Sequence, residues 1–363
     1  MSIRPRRSLM NSELYRPSAL NSKPRRNDML WLDKNENLDP ILLKLSHEVL
    51  RKIPPKILAT YPEAGALYRK LAKWVGVSPE SLLLTPGSDG AIRIVFESFV
   101  EHNDIVVYTN PTFAMYPVYS KMFGAKVIEL HYEPTENGPQ LKIDMIIEAI
   151  KTHKPKLFCL PNPDSPTGTV LSQTELSAIL KVCESNETVL LIDEAYHPFY
   201  GQTVVPLTSS SRNMIVARTF AKAWGIAGLR VGYAVAHPKT TELLHKMRPM
   251  YETSTLSIEF VYRMLDHVKD MEQAVIRINK SKIYFQKKMQ NMGFKVLPSA
   301  GNFLHVAFEV NGPSIHDVLN DKVLYRPTFD QPCLKGFSRF TVGTQREMEQ
   351  VVDLIKKVMV NKS

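Results

Sequence analysis

The chain predicts an α/β fold, with a mostly parallel central sheet in a large domain and a smaller α/β C-terminal domain. Three observations predict it. Short apolar runs alternate with amphipathic segments as far as about residue 250, the pattern of a sheet covered on both faces. Residues capable of chemistry follow directly on several of the apolar runs, where the carboxyl ends of parallel strands gather ligands. Beyond residue 250 the texture changes to a long helical stretch followed by shorter strands.

Taken in order, residues 1–30 are polar, basic and broken by proline, and have no core of their own. "SPESLLLTPGSDGAIRIVFESFV" (78–100) reads as a short strand, a Pro-Gly turn and a helix from about Ser88. "NDIVVYTNPTF" is a buried strand leading to a loop, "AKVIELHY" a strand, and "DMIIEAIKTHK" a helix. "PKLFCLPNPDSPTG" is a strand running into a proline-rich loop, and "SQTELSAILKVCE" a helix with a polar N-cap. "TVLLIDEAY" and "NMIVARTF" are two more strands. A helical segment from about 251 to 293 precedes strands at "FKVLPSAGNFLHVAF" and "SRFTVGT", and "QREMEQVVDLIKKVM" is a terminal helix. The expected organisation is an N-terminal arm (1–44) packing on the small domain, a large domain (45–250) and a small C-terminal domain (251–363).

Composition narrows the class. With 44% hydrophobic and 23% charged residues, the 363-residue chain is an ordinary globular protein. Its apolar runs are too short to span a bilayer, and "MSIRPRRSLM" lacks the apolar core of a signal peptide, so a cytoplasmic location is expected. Cys159, Cys183 and Cys333 are odd in number and widely spaced, which argues against a disulfide framework or a metal site. Much of the net charge of +10 sits in Arg4, Arg6, Arg7, Arg16, Lys23, Arg25 and Arg26. No nucleic-acid motif accompanies them, so they suit a solvated arm or a small anionic substrate.

The chemistry gathers at four places. "TPGSDG" sets Ser88 and Asp89 at a helix start, where free amides and the helix dipole favour a phosphate. Asp193 ends "VLLID", and a carboxylate placed there must be paired or act as a cap. Phe113 in "NPTFAMY" can offer a flat face to a ring. In "RTFAKAWGIAGLRVGY", Lys222 can form a Schiff base, and Thr219 and Arg230 can hold a phosphate. One ligand suits all four: pyridoxal 5′-phosphate, with Asp193 on the ring nitrogen, Tyr196 on the 3-hydroxyl and Phe113 stacked on the ring.

The chain resembles fold-type I pyridoxal-phosphate aminotransferases, most closely the histidinol-phosphate aminotransferase branch. The matching stretches are "LDKNENL", "YPEAGALYRKLA", "LTPGSDGAI", "NPTFAMY", "PNPDSPTG", "LLIDEAYHPF", "RTFAKAWGIAGLRVGY", "AGNFLHV" and "SRFTVGT", in family order. The resemblance implies a homodimer with shared active sites. It makes Lys222 the Schiff-base lysine, Asp193 the pyridinium partner and Tyr196 the 3-hydroxyl contact. Ser88, Asp89, Thr219 and Arg230 become the phosphate cup, and Tyr61 a contact to the neighbouring subunit's cofactor. Arg339 becomes the grip on the substrate α-carboxylate, and Arg326 a second substrate arginine. Two positions depart from the family pattern: Ser165 stands where an asparagine usually meets the ring hydroxyl, and Ala221 where a serine precedes the lysine.

His197 and Glu194 are expected to be structural, and Met247 and Met250 to belong to a core. The implied reaction is ping-pong transfer of an amino group from a donor such as glutamate to a small phosphorylated carbonyl acceptor. The alternative within the branch is decarboxylation of a phosphorylated amino acid, threonine phosphate or serine phosphate. A non-enzymatic binding protein would be expected to lack Lys222 or Asp193, and both are present.

Overall fold

The computed structural model describes residues 25–308 and 312–360. Arg4, Arg6, Arg7, Arg16 and Lys23 lie outside them. The chain begins with β1 (Leu30–Trp31), α1 (Pro40–Arg51), α2 (Gly65–Val75), β2 (Leu82–Thr85), α3 (Gly87–Phe99), β3 (Ile105–Asn110), α4 (Met115–Phe123) and β4 (Lys126–His131). A hairpin, β5 (Glu133–Thr135) and β6 (Gly138–Gln140), leads to α5 (Ile143–His153), β7 (Leu157–Pro161), α6 (Gln173–Ser185) and β8 (Val189–Asp193). Then come α7 (His197–Tyr200), β9 (Met214–Thr219), β10 (Gly232–Ala236), α8 (Pro238–Met247), α9 (Thr255–Met264) and α10 (Val268–Asn291). The chain closes with β11 (Lys295–Leu297), β12 (Phe303–Ala307), α11 (Gly312–Asn320), β13 (Val323–Leu324), β14 (Phe337–Thr341) and α12 (Gln345–Val360).

Seven strands form the central sheet in the order β2-β10-β9-β8-β7-β3-β4. β10 runs antiparallel to both of its neighbours, and every other pairing is parallel. The expected mostly parallel sheet is therefore present, with one reversed strand that the alternation of strands and helices did not reveal. Successive residues of a strand point to opposite faces, so each inner strand feeds two cores. Leu191 and Cys159 pack on one side with Ile92, Val95 and Leu244, while Leu190, Ile192 and Phe158 pack on the other with Ile179 and Leu180. Burial on both faces is why these runs read as continuous apolar stretches rather than alternating ones.

The local signals behave as their chemistry requires. Ser172 and Glu175 form a reciprocal capping box at the start of α6. Asp39 caps α1, and both its oxygens also accept from Arg277 of α10, each at 2.7 Å. The expected helical stretch after residue 251 is two helices separated by a tight turn at Leu265–His267. α9 lies against α1 and α2, whereas α10 lies against α12 and the three-stranded sheet β11-β12-β14. Met247 and Met250 are not core residues: they are 44% and 76% exposed, because the end of α8 and the turn beyond it face outward.

Residues 30–32 are bound to the C-terminal elements. β1 pairs in parallel with β13, and the Thr341 amide donates to the Leu32 carbonyl at 2.8 Å. This pairing carries Lys34 and Asn35 across the carboxyl edge of the large sheet.

Candidate active site

A cavity of about 690 Å³ opens at that carboxyl edge, bounded by the ends of β3, β7, β8 and β9 and the start of α3. Ser88, Asp89, Phe113, Ser165, Asp193, Tyr196, Thr219, Lys222, Arg230, Arg326 and Arg339 all line it. Tyr61 does not: it is 76% exposed and stacks on Tyr251 with ring centroids 4.7 Å apart.

α3 begins at this cavity without a side-chain cap, since Pro86 occupies the N-cap position. Its first-turn amides therefore retain their affinity for an anion. Gly87 has φ +75°, and a Cβ there would fall 2.7 Å from the Arg230 guanidinium. That contact lets the arginine lie close against the backbone at the helix start. Arg230 itself has φ 52° and donates to the Ala227 carbonyl at 3.1 Å. Thr219, at the end of β9, accepts the Ala221 amide at 3.0 Å.

Asp193 is buried at the end of β8. Its Oδ1 accepts the Ala195 amide at 3.0 Å, and Tyr116 Oη donates to Oδ2 at 3.4 Å. Burial pushes its pKa up to about 6, against the backbone bond and the nearby Lys222, which pull it down. Such a carboxylate gains from any cationic donor brought beside it. Lys222 Nζ donates to the Lys34 carbonyl at 2.8 Å and lies 5.6 Å from the centre of the Tyr196 ring. Burial raises the Tyr196 hydroxyl, but Lys222, Arg339 and hydrogen bonds with Asn35 and Ser165 outweigh it, leaving its pKa below the usual phenol value. Asn35 Nδ2 donates to that hydroxyl at 2.8 Å.

Arg339 of β14 is buried, donates to the Asp33 carbonyl at 2.9 Å and leaves Nε without a protein partner. Arg326 pairs its backbone with that of Arg339 and holds its guanidinium 4.4 Å from the centre of the Phe329 ring. The other motif residues are structural. Glu194 Oε2 accepts from Nε and Nη2 of Arg218, at 2.9 and 2.8 Å, as a buried ion pair. His197 Nδ1 lies 3.0 Å from the Gln202 carbonyl and outside the cavity. The sequence reading missed Asn35, the Lys34 carbonyl and Tyr116. "KNEN" and "NPTFAMY" contain all three, but nothing local marks which of their polar groups turn inward.

A lysine amine, a buried carboxylate and three arginines sharing one cavity at a parallel sheet's carboxyl edge have the make-up of an enzyme's active site. A family model, Aminotransferase class I and II, matches residues 27–355, and the chain belongs to that family. It is 31% identical over 334 residues to a histidinol-phosphate aminotransferase of Caldanaerobacter subterraneus subsp. tengcongensis, spanning 90% of this chain and 92% of that protein. In fold it matches the histidinol-phosphate aminotransferase from Sinorhizobium meliloti solved in complex with pyridoxal-5′-phosphate. The TM-score is 0.80 at 21% identity, over 92% of each chain. The same fold is shared with the L-threonine-O-3-phosphate decarboxylase from Porphyromonas gingivalis, with a TM-score of 0.73 at 21% identity over 91% of this chain and 99% of that one. Among the described residues no helix is long and apolar enough to cross a membrane, and no group of three or more His, Cys, Asp or Glu could hold a metal ion.

Proposed function

We propose that the cavity takes pyridoxal 5′-phosphate and that the chain moves an amino group between glutamate and a small phosphorylated carbonyl compound. The observation that bears most on this reading is that Lys222 and the buried Asp193 share a cavity with an uncapped helix start faced by Arg230. The donor set suits the group. The α3 amides, Ser88, Asp89, Thr219 and Arg230 would hold the phosphate, and Asp193 would keep the ring nitrogen protonated. Tyr196 and Ser165 would serve the ring hydroxyl, and Phe113 would stack on the ring.

When bound, this cofactor supplies an aldehyde for the amino group and a protonated ring that spreads the electron pair left on the substrate α-carbon. Lys222 would take the proton from the substrate α-carbon as general base and give it back as general acid at the carbon on the other side of the amino nitrogen. Arg339, whose guanidinium lies in the cavity wall, would fix the α-carboxylate of glutamate through its fork of donors. Arg326, the backbone bridge partner of Arg339 on the same wall, offers the second cation for a phosphorylated partner.

The test follows the chemistry of the relatives. The purified protein, loaded with the cofactor, is given L-histidinol phosphate and 2-oxoglutarate, and glutamate is measured. Glutamate formation that depends on both substrates is expected. Carbon dioxide released from O-phospho-L-threonine, with no amino transfer, would reassign the chain to decarboxylation.

Tyr61 belongs to the same proposal. Its exposed ring, away from this chain's cavity, suits a role at the neighbouring subunit's site in a homodimer. Light scattering that finds a fully active monomer would remove that role.

Ser165 yields a separate expectation. An asparagine amide is a longer and more directed donor than the serine hydroxyl. Ser165→Asn should move the pH midpoint of the bound cofactor's visible band downward by about half a unit to one unit, the worth of one neutral hydrogen bond. A spectrophotometric titration with an unmoved midpoint would place Ser165 away from the ring.

A further inference from the structure

One wall of the cavity is furnished by residues to which the proposed chemistry gives no task. Tyr108 and Asn110 lie two apart on β3, hence on one face of the strand, and Glu129 is the register partner of Tyr108 on β4. The Tyr108 hydroxyl donates to Glu129 Oε1 at 3.2 Å, and the Asn110 amide donates to Oε2 at 2.5 Å. One donor therefore holds each oxygen, which fixes the carboxylate plane and leaves further lone pairs open. All three residues line the cavity.

The charge around them is uneven. Lys34, Lys222, Arg230, Arg326 and Arg339 put five basic side chains into the cavity lining. The other carboxylates there are engaged: Asp33 is bridged to Arg25 at 2.7 Å, Asp89 accepts from Tyr119 at 2.9 Å, and Asp193 is buried. Among the described residues, the only basic side chain that comes within 4 Å of the Glu129 carboxylate is the His131 imidazole, with Nε2 at 3.9 Å. The Glu129 side chain is 37% exposed, so it faces the space a ligand would fill rather than a packed core.

We infer that Glu129 is a specificity-determining residue that receives a basic nitrogen at the end of the substrate remote from the group held by Arg339. The inference rests on the aminotransferase reading and narrows it: the preferred substrate is anionic at one end and a cationic hydrogen-bond donor at the other. Tyr108 and Asn110 are positioning residues that hold the carboxylate in place. An anionic side chain is turned away by the same charge and directed to the arginines.

Three five-carbon amino acids provide the test, because they differ only at the far end: L-ornithine (ammonium), L-norvaline (methyl) and L-glutamate (carboxylate). Each is titrated into the cofactor-loaded protein, and the change in the visible band gives an apparent dissociation constant. Wild type should favour L-ornithine over L-norvaline by about tenfold, the low end for a charge-assisted hydrogen bond. Glu129→Gln should abolish that preference and leave L-norvaline unmoved, and Glu129→Lys should transfer the preference to L-glutamate. Asn110→Ala, which frees one oxygen, should weaken L-ornithine selectively and by less. An ornithine-to-norvaline ratio that Glu129→Gln leaves unchanged would overturn the inference. So would a parallel loss for all three ligands, the mark of a strut between β3 and β4. If no amino acid alters the wild-type band, the aminotransferase reading itself fails, which is a different result.

Discussion

Lys222→Ala is expected to lower the rate of amino transfer by at least about 10²–10⁴-fold, the range for loss of a positioned general acid-base group. The fold should survive. Among the described residues the Lys222 Nζ donates one hydrogen bond, to the Lys34 carbonyl, and it lies 5.6 Å from the Tyr196 ring centre. The melting temperature should therefore move little while turnover collapses. Partial recovery of the rate on adding methylamine would show that a base is what the cavity lost. A variant retaining a tenth of the wild-type rate would take Lys222 out of the proton-transfer role.

Asp193→Asn should cost about 10–150-fold in turnover and in cofactor affinity, the worth of one hydrogen bond to a charged group. The carbonyl oxygen of the new side chain can still accept the Ala195 amide, so the loss is that of the charge and of the oxygen that accepts from Tyr116. The cofactor-free protein should show the opposite effect on stability. Burial, the largest influence, raises the folded-state pKa of Asp193 from 3.8 to about 6. The folded state thus holds its proton more tightly than the unfolded chain does. That contribution is complete below about pH 3.8 and is lost as pH rises to about 6. At pH 7 the cofactor-free Asn variant has no such loss, so it should melt above cofactor-free wild type, with the difference shrinking towards pH 4. A melting difference constant across that interval would show that Asp193 is not the titrating group.

What the sequence made legible follows from the range over which each signal acts. The runs "VLLID", "IVVYTN" and "MIVART" are strands because burial on both faces demands apolar residues along most of their length. Ser172 and Glu175 announce a helix start because the capping box is completed within four residues. The cavity lining was legible at Lys222, Asp193 and Arg230 because a charged group directly after or within an apolar run requires a partner, whereas Arg339 was legible only through the family resemblance. Asn35 was not, since its role depends on Tyr196, 161 positions away, and on Thr341, 306 positions away. The reversed strand β10 was hidden for a similar reason. "GYAVA" is as apolar as its parallel neighbours, and strand direction is set by the connection rather than by composition. Met247 and Met250 misled because an apolar side chain beside a helix end can be exposed as readily as buried.

The segment Leu30–Asp39 has a consequence for how the molecule is made. Its strand partner is β13, its carbonyls take the Asn302 amide and the Thr341 backbone N–H, and the Asn35 amide reaches Thr341 Oγ1 at 2.9 Å. The first stretch of the cavity to leave the ribosome is therefore anchored by some of the last residues to follow. At an ordinary pace of about 5–20 residues per second, the 306 intervening positions take roughly 15–60 s to synthesise. During that interval the large sheet can collapse on its local βα units, while Leu32 and Asn35 still lack the Asn302 and Thr341 partners that anchor them. The cavity thus closes after translation rather than during it, and a chain truncated before β14 should retain the sheet yet lack the strap that completes its site.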